Sequence, residues 1–225
     1  MNISLSLILF IVFVILFSLV FYIGLKNSIA NWDIWWLNSF DGWVRLFCRY
    51  FHKLDYHPIP IPETGGAIIV SNHVSGLDPF LLVAATKRPI RFLIAREEYQ
   101  RFGLTWLFKA GGCIPIERSG NVIRAMSEVI TALKSGEVIA IFPEGAIHIA
   151  NTDKKPLKRG VALVAEASHS PIYPVHIEGV KGHGHVFRGL IFPGDVNLTP
   201  GEKIICTEDT HKECLAKITR VLHPN

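Results

Sequence analysis

From Ile3 to Leu25 the chain carries no charged side chain and is built almost wholly of Leu, Ile, Val and Phe. Twenty-three residues in a helix reach about 34 Å, enough to cross a hydrocarbon core of roughly 30 Å. The run is therefore read as a single membrane span. A cleaved signal peptide is the competing reading and fits poorly. No basic stretch precedes the apolar run, the run is too long, and no Ala-x-Ala site follows it. Lys26, Arg45, Arg49 and Lys53 all come after the span, so the positive-inside rule places the following chain on the cytoplasmic side.

Between Ala30 and Leu54, apolar residues recur at Trp32, Trp36, Phe40, Trp43, Phe47, Tyr50 and Leu54. These steps of three and four define one face of a helix. Four of the five tryptophans fall between positions 32 and 43, and Trp is favoured at the level of lipid headgroups. An amphipathic helix over about 30–54 is expected to lie in the membrane interface, with Arg45, Arg49 and Lys53 reaching anionic lipid. Packing on a soluble core is the alternative. Three prolines within 57–62 then mark a linker. Residues 1–56 accordingly read as a membrane-anchoring region and 57–225 as a cytoplasmic domain.

From Gly66 onward, strand-like and helix-like stretches alternate. Strands are predicted at 66–71, 91–95, 113–117, 137–142 and 172–177. Helices are predicted near 79–86, 97–110, 121–135, 157–168 and 208–222. Such alternation gives an α/β fold with a mixed, mostly parallel sheet flanked by helices. A net charge of +4 in a chain that is 49% hydrophobic is too small an excess to argue for nucleic acid as a partner. The four cysteines (Cys48, Cys113, Cys206 and Cys214) form no CxxC pair and no metal spacing, which suits a reducing compartment.

The residues that promise chemistry start at Ser71-Asn72-His73-Val74-Ser75-Gly76-Leu77-Asp78-Pro79. The apolar run Ala67–Val70 before them reads as a buried strand. Pro79 suits the first turn of a helix, with Asp78 as its N-cap. His73 thus stands where a strand ends and Asp78 where a helix begins, the edge at which open α/β sheets bind ligands. Folded across a tight Ser-Gly turn, the carboxylate can hold one imidazole nitrogen as a donor and leave the other to take a proton. That is a base and its orienter, with no side-chain nucleophile required. Taken singly, Asp78 is an ordinary cap and His73 an ordinary loop histidine.

Other stretches add to this one. Gly111-Gly112 leads into a short β run ending at Glu117-Arg118, where a guanidinium can grip phosphate or merely pair with its neighbour. A second buried strand stops at Phe142-Pro143-Glu144-Gly145. A carboxylate there is costly if buried and unpaired, and Gly145 allows a turn that other residues would strain. Lys154, Lys155, Lys158 and Arg159 then lead into a helix start, which welcomes an anion. Lys87, Arg88, Arg91, Arg96, Arg101 and Lys109 outnumber Glu97 and Glu98, and read either as a solvated face or as a basic collar for lipid phosphate or an acidic acyl donor. His183-Gly184-His185 in a glycine-rich loop is too slight to argue for metal.

Four of these blocks together resemble the glycerolipid acyltransferase family. They are Asn72-His73 with Asp78, Ile114-Pro115-Ile116-Glu117-Arg118, Phe142-Pro143-Glu144-Gly145, and Pro171-Ile172-Tyr173-Pro174-Val175. The resemblance covers roughly residues 66–180. It implies a catalytic helix–sheet domain with an apolar acyl tunnel and His73 and Asp78 as the catalytic pair. It also implies acceptor binding by Arg118, Glu144 and Gly145, to which Asn72, Lys158 and Arg159 are added as substrate-binding candidates. One departure stands out. The family's third block continues Thr-Arg-Ser, whereas this chain has Ala146-Ile147-His148. A cation that would face the acceptor phosphate is missing, and Lys158 or Arg159 is the candidate replacement.

The implied reaction moves a fatty acyl group from a thioester to the hydroxyl of a lysophospholipid, 1-acylglycerol-3-phosphate giving phosphatidic acid. A lyso amino-acid lipid is the alternative acceptor suggested by Ala146-Ile147-His148. The donor is acyl-CoA or acyl carrier protein, used as a co-substrate. No metal, no other cofactor and no covalent acyl-enzyme are expected, and the bilayer is the expected partner. Thioester hydrolysis, and a catalytically inactive lipid-binding protein, are the competing readings.

Overall fold

A computed structural model of the chain describes residues 4–117, 122–148 and 156–224. Two helices come first, α1 (Leu5–Asn27) and α2 (Trp35–Leu46), followed by one π turn and a short strand β1 (Asp55–Tyr56). Then follow β2 (Ala67–Ser71), α3 (Asp78–Ala84), β3 (Ile90–Ala95), α4 (Arg96–Tyr99), α5 (Thr105–Ala110) and β4 (Ile114–Ile116). The chain continues with α6 (Val122–Lys134), β5 (Val138–Ile141), α7 (Gly160–Ser168), β6 (Ile172–Glu178), α8 (Arg188–Ile191), β7 (Asn197–Pro200) and α9 (His211–Leu222).

Among the described residues the strands form one sheet in the order β1-β7-β6-β2-β5-β3-β4. Only β6 and β7 pair antiparallel; the other neighbours run parallel. This is the expected α/β class. A parallel sheet covered on both faces needs strands that are apolar on both faces, and β2 is buried at every position. Its side chains alternate between two cores. Ile69 joins Leu81, Leu82 and Phe92 on one face, whereas Ile68 and Val70 join Val129, Val161 and Ile218 on the other.

All five predicted strands form. Short β1 and β7 carry too few apolar residues to be seen in the sequence; in β7 only Leu198 is buried. The helix predicted over 97–110 is instead two, α4 and α5, broken by a turn in which Gly103 has φ +79°. Cys206 and Cys214 do not stand apart as their spacing suggested, for they are joined by a disulfide with Cα atoms 5.7 Å apart.

The first two helices meet at glycines. A Cβ placed on Gly42 would lie 1.8 Å from the Gly24 carbonyl oxygen, so this contact requires bare backbone on both helices. Ser39 Oγ donates to the Phe21 carbonyl and Trp43 Nε1 to that of Val20, each at 3.0 Å. Almost all of α1 is exposed, as a helix made for lipid would be. The second helix begins at Trp35 rather than near 30. Trp32 lies in the preceding turn, where its indole donates to Asp41.

Arg45 corrects a further expectation. It does not point to lipid but is buried against Asp41, with Nε to Oδ2 at 2.7 Å. Its other nitrogens donate to the carbonyls of Ala84 and Thr86 at the end of α3. Removing one partner from such a pair typically costs about 3–5 kcal/mol, so this pair firmly ties the anchor helices to the helix that begins with Asp78.

Candidate active site

The parallel strands bring their C-terminal ends to one edge of the sheet, and the motif residues follow directly from them. His73 comes two residues after β2 and Phe142 immediately after β5. His73 Nδ1 donates to Asp78 Oδ2 at 2.8 Å. The same oxygen accepts the backbone N–H of Val74 at 2.7 Å and of Ser75 at 2.9 Å. Three donors on one oxygen fix the carboxylate, which is fully buried. This fixes the donor nitrogen of His73 and leaves Nε2 to accept a proton. Leu77 takes the N-cap position of α3, so Asp78 does not cap that helix and instead faces back across the turn. The amides of Val74 and Ser75 are thereby committed to Asp78.

The imidazole lies against the Phe142 ring, with centroids 4.1 Å apart and planes 16° apart. Behind Phe142 stands Phe92, at 6.5 Å. An aromatic stack below and a carboxylate at the edge hold the ring in one orientation. It faces a largely apolar cavity of about 750 Å³, which Phe80, Phe92, Phe142, Gly145 and Lys158 also line. Leu37, Phe40 and Val44 bring α2 into the same wall. Cys113 lines the cavity too. Burial pushes its thiol up to about 11, so at neutral pH it is not the thiolate that a covalent acyl-enzyme would need.

The substrate-binding candidates divide. Gly145, at φ +74°, lets the chain pass beneath Lys158, whose Nζ would be 2.6 Å from a Cβ placed there. Among the described residues Lys158 and Arg101 are the basic side chains on the cavity, Arg101 being paired with Glu98, whereas Arg159 sits at the N-cap of α7 and is not part of the lining. Asn72 is turned elsewhere. Its amide donates to the Ile177 carbonyl and accepts the Ile177 N–H, both at 2.8 Å, which locks β2 to β6. Glu144 is buried and does not line the cavity; its carboxylate faces His223 at 3.5 Å. Arg118, Lys154 and Lys155 lie outside the described residues.

Much of the expected basic collar is structural. Arg88 donates to the carbonyls of Pro62, Gly65 and Gly136, and Arg91 pairs with Glu137 at 2.8 Å. Arg96 pairs with Glu117 and Arg101 with Glu98.

A family model described as "Acyltransferase" matches residues 53–178, more than half of the chain. The chain belongs to the acyltransferase family. This acyltransferase is 26% identical over 172 residues to the 1-acyl-sn-glycerol-3-phosphate acyltransferase of Bacillus subtilis, an alignment covering 75% of this chain and 83% of that one. It is 24% identical over 234 residues to the lyso-ornithine lipid O-acyltransferase of Brucella abortus, covering 87% and 86%. Its fold is shared with the crystal structure of the 1-acyl-sn-glycerophosphate acyltransferase of Thermotoga maritima, at TM-score 0.66 and 23% identity, over 84% of this chain and 78% of that one.

Sequence reasoning missed Asp41 with Arg45, although a charged pair four apart on an apolar helix face is a readable signal of a buried bridge. It also missed His223, for which no local signal exists.

Proposed function

We propose that this acyltransferase moves a fatty acyl group from an acyl thioester to the hydroxyl of a lysolipid at the bilayer surface. The observation that carries the reading is the 2.8 Å bond from His73 Nδ1 to Asp78 Oδ2 on a residue lining an apolar cavity. His73 Nε2 takes the acceptor's hydroxyl proton as that oxygen attacks the thioester carbonyl. Asp78 steadies the imidazolium that results. The tetrahedral intermediate then collapses with loss of the C–S bond, and the imidazolium returns the proton to the leaving thiolate. Acyl-CoA or acyl carrier protein supplies the thioester, and no resident cofactor is required.

The acceptor is 1-acylglycerol-3-phosphate, with Lys158 in the part of the absent motif arginine. An ammonium is a point charge rather than a bidentate fork, so this site grips phosphate less selectively than one carrying Arg. That weaker grip, the sequence Ala146-Ile147-His148, and a relative named for lyso-ornithine lipid that aligns over most of the chain favour a lyso amino-acid lipid as the second reading.

The bilayer is the partner of residues 1–56, with residues 57–225 as the catalytic region held beside it. In support, Phe102, Trp106, Phe187 and Ile191 expose large apolar surfaces. The Trp106 ring also packs against Trp36 of α2 at 5.1 Å, continuing the apolar surface of the anchor. The charges following α1 favour the cytoplasmic side; the Cys206–Cys214 bond is the observation on the other side of that question.

The test is transfer of a labelled acyl group from acyl-CoA by the purified protein in detergent. The acceptors are 1-acylglycerol-3-phosphate, lyso-ornithine lipid or none. Labelled diacyl product with either lysolipid supports the reading and ranks the two. Release of CoA at full rate with no acceptor would make it a thioester hydrolase.

A further inference from the structure

Among the described residues the most buried carboxylate besides those of Asp41 and Asp78 is that of Glu144, in the turn directly after β5. Its side chain is 1% exposed, and a charge at that depth is costly unless a partner compensates it. One partner arrives from far along the chain. His223 Nε2, in a side chain 13% exposed, lies 3.5 Å from Glu144 Oε1. His223 is the residue at which α9 ends, and its own N–H donates to the Thr219 carbonyl.

Both ends of α9 are held in place by more than apolar packing. Cys214 is bonded to Cys206, and His211 Nε2 meets Glu166 of α7 at 2.7 Å. His176 Nδ1 on β6 donates to the Leu222 carbonyl at 3.0 Å, one residue before His223. The imidazole is thus brought to Glu144 by an element tied to the sheet and to a neighbouring helix.

Glu144 lies within the turn that borders the cavity. Within it the Gly145 N–H donates to the Phe142 carbonyl at 3.0 Å. The Pro143 carbonyl accepts the Lys158 N–H at 3.0 Å, and the His148 N–H reaches the carbonyl of His73 at 2.6 Å. Phe142 is the ring on which His73 lies, and Gly145 is the bare backbone under Lys158. The turn therefore touches both the His73 imidazole and Lys158.

We propose that His223 is a positioning residue for the acceptor end of the site: its imidazole holds Glu144, and Glu144 holds the 142–148 turn and with it the place of Lys158. The proposal deepens the lysolipid reading and rests on it. In His223→Ala the KM for the lysolipid rises about tenfold, within the range of coupling found for contacting pairs. The KM for acyl-CoA and kcat stay within about twofold. His223→Gln, which keeps a donor, recovers most of the loss. In a Glu144→Gln background, His223→Ala adds little. His211→Ala loosens the same helix without touching Glu144 and leaves the lysolipid KM unchanged.

An unchanged lysolipid KM in His223→Ala would overturn the proposal. So would independent, multiplying effects of the two substitutions, or an equal KM shift in His211→Ala, which would make docking of α9 the whole effect. The same double-mutant cycle read in thermal midpoints needs no substrate. Coupling there without coupling in KM would show a pair that does not position the site. If the wild-type protein acylates no lysolipid, it is the reading of function that fails, while the thermal cycle still reports on the pair.

Discussion

Two histidine–carboxylate pairs serve this site, and they are built differently. His73 and Asp78 lie five residues apart, within one turn, at 2.8 Å, and the carboxylate takes two further N–H donors from that turn. Glu144 and His223 lie on separate elements at 3.5 Å, behind the cavity rather than on it. The first pair is local and its geometry is over-determined, as proton transfer demands. The second depends on the fold to bring α9 home, and the role proposed for it is to hold a turn rather than to touch a reacting atom. In the proposed reading a local pair sets the rate of chemistry, and a long-range pair sets where the acceptor waits.

The largest effect separates the two. His73→Ala should lower kcat by roughly 10²–10⁴-fold while the protein stays folded and membrane-bound. Asp78→Asn should also act on kcat, because an amide can present its N–H to His73 and turn the ring to the wrong tautomer. Steady-state rates at saturating acceptor and donor make the comparison. Turnover within a few-fold of wild type in His73→Ala would remove the general base, and the contrast between the pairs with it.

A smaller effect is expected at Lys158, on the cavity wall. Lys158→Ala removes a charge-assisted contact that is typically about 1.5–3 kcal/mol. The KM for 1-acylglycerol-3-phosphate should therefore rise about ten- to hundredfold, with kcat little changed. The KM for an acceptor without a terminal phosphate should move much less. Equal shifts for both acceptors would mean that Lys158 supports the Gly145 turn rather than reading phosphate, which would place it with Glu144 instead of with the substrate.

The same division explains what could be read from the sequence. The five main strands, α1 and the His73–Asp78 pair rest on runs of a few residues whose periodicity and turn chemistry are local. The lysine chosen between Lys158 and Arg159 could not be read, because adjacent residues at a helix start differ only by which way the chain turns. Asn72 was misassigned for a related reason. Its neighbour is the motif histidine, yet its amide is spent on Ile177, 105 residues away. Arg45 looked like a lipid contact because charge next to tryptophan suggests an interface. Only the packing of α2 on α3 shows it capping carbonyls in the interior. Each of these turned on a long-range partner, which no local pattern encodes.

The smallest prediction concerns a histidine that has no carboxylate at all. His52 is 1% exposed, packs edge-on against the stacked rings of Phe47 and Phe51, and among the described residues has no partner for either ring nitrogen. Burial lowers its pKa below the ordinary histidine value. The unfolded chain then binds a proton on this ring at a higher pH than the folded chain does. Stability from neutral His52 is therefore present above about pH 6.5 and is lost as the pH falls below it. His52→Leu should leave the thermal midpoint near its wild-type value at about pH 8 and flatten its decline between about pH 6.5 and pH 5. Midpoints measured across that range in the same detergent decide it. Parallel declines in the two proteins would mean that the ring finds a partner when charged, and that a carboxylate neighbour is not what distinguishes the other two histidines.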